Sequence, residues 1–158
     1  PTNLVYMGSF MEDKNVENLI RSLAFLPDYT LHLLSRIRPE RKAELEKLIP
    51  QGAQVVFHNG VSDEMYARIL STRALLVSAS LDEGYGIPVA DAIFHEVAGE
   101  GALSFDARNP RDIAEKIKAA AIPQTYADLS VKGLVQSTTF SWDNSARVLH
   151  EALKSLVQ

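Results

Sequence analysis

Apolar residues come in short runs and in helical spacings along this chain, and the two patterns alternate. Leu4 to Met7 is a continuous apolar run closed by Gly8-Ser9, as in a short buried strand. Val16, Leu19, Ile20 and Leu23 recur at i, i+3, i+4 and i+7, which predicts an amphipathic helix ending before Pro27. Tyr29 to Ser35 reads as a second strand. Pro39 suits the first position of a helix whose apolar face is Ala43, Leu45, Leu48 and Ile49, up to Pro50. Val55-Val56-Phe57 is a third strand. Ser62 fits a helix N-cap, with Asp63 and Glu64 in the first turn and Met65, Ile69 and Leu70 beyond. Ala74 to Ala79 is apolar nearly throughout, so a fourth strand covered on both faces is expected. Pro88 opens another helix. Asn109-Pro110 caps and starts one bearing Ile113, Ala114, Ile117 and Ala121. Ser141 starts the last, with Trp142, Ala146, Leu149, Leu153 and Leu156 on one stripe.

Strand and helix thus alternate at least four times with short connections. This predicts βαβ units, a parallel sheet and a doubly wound, Rossmann-like α/β domain spanning 1–158. Composition supports a globule: 46% of the 158 residues are apolar and 23% charged, which excludes a disordered or fibrous chain. The absence of cysteine excludes disulfides, zinc–thiolate sites and cysteine nucleophiles. A net charge of −4 gives no sign of a nucleic-acid partner. No apolar run approaches the roughly eighteen residues of a membrane span. The chain opens at Pro1, directly on a strand-like run, and is expected to be cut from something longer.

In open parallel sheets, ligands bind outside the carboxyl ends of the strands. Three segments fall there: Gly8 to Asn15 after strand one, Asn59 to Ser62 after strand three, and Ser80 to Pro88 after strand four. The third is the most informative. Glu83-Gly84-Tyr85-Gly86-Ile87-Pro88 joins a carboxylate, two glycines and a proline at a helix start. Glycines admit close backbone approach, and free N–H groups favour an anion such as phosphate. Glu83, and Asp91 eight residues on, could accept hydrogen bonds from ligand hydroxyls. Read as structure alone, the segment is a turn with a capping acid and a solvated aspartate. Lys14 could offset phosphate charge or be a solvated lysine; Arg36 and Arg38 read as surface charges. The four histidines, His32, His58, His95 and His150, lack metal-ligand spacing, and His32 and His150 read as structural.

Taken together, these segments resemble the C-terminal, donor-binding domain of retaining GT-B glycosyltransferases of the family-4 type. Leu4 to Phe10, through Lys14-Asn15 and Leu19-Ile20, resembles the family's opening strand, glycine turn and "K-N" helix start. Val55 to Glu64 resembles "V-x-F-x-G-x-V-S-D-E", and Leu76 to Asp91 resembles "P-S-x-x-E-G-F-G-L-P-x-x-E-A". Phe94 to Gly99 is similar to "P-E-V-V-G", followed by Ala102 to Asp106 and Pro110 to Ala114. Phe140-Ser141-Trp142 is similar to the "F-S-W" that starts the closing helix.

The resemblance implies a nucleotide-diphospho-sugar, UDP- or GDP-linked, as donor substrate, with no further cofactor and no metal. By it, Lys14 would hold the diphosphate beside Gly8, Ser9, Gly84 and Tyr85, helped by the N–H groups of Gly86 and Ile87. Glu83 would bind sugar hydroxyls, Asp91 the ribose, and Val61, next to Ser62, the base through its backbone. Glu83 and Lys14 would be the catalytic pair, and stabilising the leaving diphosphate the main contribution. The implied partner is an N-terminal acceptor domain of the same chain, without which no turnover is expected. The implied location is the cytoplasm, at a membrane's inner face if that domain binds one.

Three positions depart from the family. Ser9 stands where arginine is common. Asp91 replaces a glutamate one methylene longer. Between Ile93 and Phe94 the family has the end of a helix, a glycine turn and a strand, so a gap of roughly ten to fifteen residues is expected there. Ser9 favours an alternative function, a non-catalytic glycosyltransferase-like module. A phospho-receiver fits poorly, because Glu12 and Asp13 lie too far beyond Gly8.

Overall fold

The computed structural model describes residues 2–72, 74–81 and 98–155. Four parallel strands form one sheet: β1 (Asn3–Tyr6), β2 (Thr30–Leu33), β3 (Gln54–Phe57) and β4 (Leu75–Leu76), in the order β3-β2-β1-β4. Six helices accompany them among the described residues: α1 (Val16–Ser22), α2 (Pro39–Glu46), α3 (Asp63–Ser71), α4 (Pro110–Ala121), α5 (Pro123–Ser137) and α6 (Trp142–Ser155). The predicted α/β class is therefore correct. The helix expected from Pro88 lies outside the described residues.

Strand alternation separates two unlike faces. The register sets Leu4 beside Leu31 and Tyr6 beside Leu33, so all four side chains point one way. There they meet Val16, Leu19, Ile20 and Leu23 from the predicted helical stripe, together with Ile113, Ala114 and Ile117 of α4. Leu4, Val16, Leu19, Ile20 and Ile113 are wholly buried. Each such side chain stabilises the fold by about 1.5–3 kcal/mol, so this face holds the chain together.

The opposite face is thinner and partly polar. Val5, Leu34 and Ile69 form a small cluster under α3. Around it runs a chain of hydrogen bonds crossing three strands. His58 Nε2 lies 3.0 Å from His32 Nδ1, and His32 Nε2 lies 3.4 Å from Asn3 Oδ1. Asn3 Nδ2 then donates to the Thr72 hydroxyl (3.1 Å), which donates to the Ile69 carbonyl (2.6 Å). Because Asn3 Oδ1 only accepts, His32 carries its proton on Nε2 and accepts from His58.

Both predicted caps form. The Ser62 hydroxyl accepts from Met65 N–H (3.3 Å), and Asn109 Oδ1 accepts from the N–H groups of Arg111 (3.1 Å) and Asp112 (3.3 Å). Other expectations need correction. α2 ends at Glu46, because Leu48 and Ile49 pack from the turn that follows rather than from the helix. Strand four is not covered on both faces: Val77 and Ala79 are buried, but Leu76 is 66% exposed. The stripe on α6 is present, yet Trp142 (91% exposed), Leu149 and Leu153 are exposed among the described residues. α5 was not expected at all. Its tightest contact is a close approach of two glycines, since a Cβ on Gly101 would lie 2.6 Å from Gly133 Cα, and such a contact leaves no apolar periodicity to read.

Burial, and then the charge of His58, push the His32 pKa below its ordinary 6.5. Folding therefore favours neutral His32. That stability is fully present above about pH 6.5 and is lost as pH falls through the lowered folded-state value. The melting temperature should fall on acidification from pH 7 towards 5, and His32→Gln should flatten the fall; an unchanged slope in melts across this range would show that His32 does not govern it.

Candidate functional site

Gly8, Ser9, Lys14, Val61 and Ser62 all fall at the carboxyl end of the sheet, in the loops after β1 and β3. β2 lies between those strands, so the loops start about 10 Å apart. Glu83, Gly84, Tyr85, Gly86, Ile87 and Asp91 lie outside the described residues.

The loop after β1 turns tightly because of Gly8. Its N–H donates to the Ser35 hydroxyl (3.0 Å), and a Cβ there would sit 2.7 Å from the Tyr6 hydroxyl oxygen. Tyr6 is buried and its hydroxyl donates to the Ser9 carbonyl, so the ring has little room to retreat. The side chain of Ser9 is exposed. Further on, the Phe10 carbonyl accepts from Arg41 Nε (2.9 Å), while the guanidinium is also paired with Glu17 and Glu44. Burial opposes that charge, but hydrogen bonds to Glu17 and Glu44 outweigh it and raise the Arg41 pKa.

Lys14 ends a single 3₁₀ turn, Glu12–Lys14, and Asn15 follows in the left-handed region at φ 50°. Two ties hold this turn against the chain leaving β4. The Asp13 carbonyl accepts from Leu81 N–H (2.7 Å), and Asn15 Nδ2 donates to the carbonyls of Ala79 (3.1 Å) and Ala107 (2.7 Å). Asn15 is only 6% exposed. Lys14 Nζ lies 3.3 Å from an Asp13 carboxylate oxygen, with the lysine side chain 19% exposed. Lys14 is thus a held, mostly buried cation between two anchors, rather than a solvated lysine. Leu81 precedes Glu83 by two residues, so the structure ties the Lys14 loop to the start of the glycine-rich segment.

After β3, Asn59 (φ 53°) and Gly60 (φ 95°) both take left-handed conformations, and Gly60 N–H donates to the Leu34 carbonyl (3.0 Å). The aliphatic stem of Arg36 lies over Gly60, where a Cβ would come within 3.0 Å of Arg36 Cγ. The Val61 side chain packs on the cluster of Val5, Leu34 and Ile69. Ser62 caps α3, and its hydrogen bond holds the Glu64 carboxyl below its usual range.

Sequence reasoning gave Asn15 and Arg41 no role in the site. Asn15 carried two signals, a polar residue just ahead of the Val16 stripe and its place in the Lys14-Asn15 pair that resembles the family's helix start. Arg41 carried none, because its partners Phe10 and Glu17 lie on other elements.

Replacing Asn15 tests the tie. Asn15→Ala strands the Ala79 carbonyl, leaves the Ala107 carbonyl to Asn18 alone, and puts a residue less tolerant than asparagine in the left-handed region, whereas Asn15→Gly loses the same hydrogen bonds without that backbone cost. We expect Asn15→Ala to destabilise by about 2–5 kcal/mol and Asn15→Gly by about 1 kcal/mol less, read from urea unfolding. Equal losses would mean that the left-handed backbone costs nothing here.

No protein-family model matches the chain. Over 168 aligned positions it is 26% identical to the serotype-specific mannosyltransferase WbdA of Escherichia coli, covering 92% of this chain and 21% of that protein. It is 24% identical over 173 positions to the O-antigen chain mannosyltransferase B of Escherichia coli, covering 96% and 45% respectively. The WbdA alignment takes in about 145 residues of this chain, so roughly 23 positions of the relative face no residue here. Among solved structures, sucrose-phosphate synthase from Thermosynechococcus elongatus superposes with a TM-score of 0.74 at 20% identity, over 98% of this chain and 45% of that one. The chain therefore spans between a fifth and just under half of these proteins. Its Rossmann-like fold is shared with that structure, and the relatives its sequence matches are named as mannosyltransferases.

Proposed function

We propose that this chain is the nucleotide-sugar-binding part of a retaining glycosyltransferase that moves a hexosyl group from a nucleotide-diphospho-sugar to an acceptor hydroxyl. The names of the relatives point to mannose as that sugar. The observation that carries the reading is Lys14, paired with Asp13 at the carboxyl end of the sheet and flanked by Asp13 and Asn15, whose bonds to Leu81 and Ala79 fix the turn. A cation fixed at that edge suits a diphosphate, and a tight glycine turn beside it lets backbone come close. In the reaction, the bond from the anomeric carbon to the diphosphate breaks as one to the acceptor oxygen forms. The acceptor proton leaves with the departing phosphate. Lys14 would stabilise the charge developing on that leaving group. Glu83 would orient sugar hydroxyls, Asp91 the ribose, and Val61, whose side chain packs into the cluster under α3, would hold the base through its backbone. Acceptor binding would come from a further part of the full protein.

Calorimetry with GDP and UDP tests the assignment, and no heat with either at millimolar concentration would overturn it. Lys14→Ala should weaken nucleoside diphosphate binding about ten- to a hundred-fold, the value of one charge-assisted hydrogen bond, and spare the nucleoside. Equal loss for both ligands would remove Lys14 from the phosphate site.

Ser9 favours a second reading, a relative that has lost catalysis and serves as an interaction module. Its exposed side chain stands where the resembling family commonly has a second cation. On that reading the chain lacks diphosphate affinity and Ser9→Arg creates it; measurable affinity in the unaltered chain decides for the enzyme.

A further inference from the structure

Between the loops after β1 and β3 stands the exit of β2, and it is bonded to both. On one side the Ser35 hydroxyl accepts from Gly8 N–H (3.0 Å). On the other, the Leu34 carbonyl accepts from Gly60 N–H (3.0 Å), and Ile37 N–H donates to Asn59 Oδ1 (3.1 Å). Arg36 therefore sits on backbone held from two directions, midway along this part of the carboxyl edge.

Its side chain is placed as well. The stem rests over Gly60, with Cγ 3.0 Å and Nε 3.4 Å from where a Cβ would stand there. Gly60, at φ 95°, has a backbone that residues with side chains rarely adopt, so the seat under the stem stays clear. Arg36 is nonetheless exposed, as a group that meets a ligand must be. The neighbouring Arg41 differs, because Glu17, Glu44 and the Phe10 carbonyl already engage it.

A ligand with its base at Val61 and its outer phosphate at Lys14 spans about 10 Å and crosses the exit of β2. In a nucleoside diphosphate, the ribose and the inner phosphate lie midway. A guanidinium offers two parallel N–H donors to phosphate oxygens, where a lysine offers a point charge. Resting on the donor-binding reading above, we propose that Arg36 holds the inner phosphate of the nucleoside diphosphate, supplying the second cation that Ser9 does not. Lys14 then meets the outer phosphate, and the two cations divide the diphosphate between the exits of β1 and β2.

Because the two cations meet different phosphates, three ligands tell them apart. Calorimetry compares nucleoside, monophosphate and diphosphate, with the guanosine and uridine series run in parallel. Arg36→Gln keeps a stem over Gly60 and removes the charge. It should weaken monophosphate and diphosphate alike, by about tenfold, and leave the nucleoside unchanged. Lys14→Ala should weaken the diphosphate far more than the monophosphate, and Arg36→Lys should recover part of the loss for both. In the unaltered chain, the Arg36 Nε–H resonance should shift on adding monophosphate and not on adding nucleoside. The assignment fails if that resonance stays still, or if Arg36→Gln leaves monophosphate binding unchanged. Equal weakening of the nucleoside also overturns it, since Arg36 then shapes the base loop instead. If the unaltered chain binds neither diphosphate, the donor-binding reading itself falls; binding without a response to Arg36→Gln removes Arg36 alone.

Discussion

The carboxyl end of this sheet depends on one buried amide. Asn15 reaches from the loop after β1 to the carbonyls of Ala79 and Ala107, which belong to the exits of two other segments. A carbonyl buried without a partner costs about 1–3 kcal/mol, so three chain segments meet only where this side chain can satisfy them. The geometry also explains the residue type. The position is left-handed, which asparagine tolerates better than most residues, and it needs two N–H donors on a short stem. Asn18 adds a donor to the same Ala107 carbonyl, and Asp13 accepts from Leu81 beside it. This arrangement fixes the turn that carries Lys14, and the Asp13 carboxylate pairs with its Nζ.

The two faces of the sheet divide the labour. The face under α1 and α4 is closed by aliphatic packing and supplies most of the stability. The face under α3 is held in part by a directional relay from His58 through His32 and Asn3 to Thr72. Such a relay adds little net stability per bond but allows one arrangement of the strands, because each donor has one acceptor available. Specific packing on one face and specific polar pairing on the other leave the loops at the carboxyl end with fixed starting points.

Much of this was legible in the sequence. The 3.6-residue stripe Val16-Leu19-Ile20-Leu23 and the runs at Leu4, Val55 and Ala74 identified the βα alternation, since burial on one side of an element imposes its period on the chain. Ser62 and Asn109 were legible as caps because a cap bonds to N–H groups two or three residues away. α5 was not legible, as its closest approach is backbone against backbone at Gly101 and Gly133, and its ion pair from Lys132 to Glu100 joins residues 32 positions apart. Nor was the exposure of Leu76 and of the α6 stripe, because an apolar residue states what it would bury against, not whether a partner is there.

By itself, then, the sequence determined the parallel α/β class, the caps, the glycine turns and the loops in which Gly8, Lys14, Val61 and Ser62 would lie. These follow from local rules: periodicity, backbone freedom and bonds across a few residues. Only the tertiary structure decided that the turn bearing Lys14 is tied to the exit of β4, that Arg41 secures the Phe10 carbonyl, and that, among the described residues, a cavity lies between β4 and Leu129. Each of those joins residues thirty or more positions apart, from Arg41 and Phe10 to Lys14's neighbour Asn15 and Ala107. No local pattern carries such a pairing, because it exists only once the apolar face has closed and set the distances between the loops.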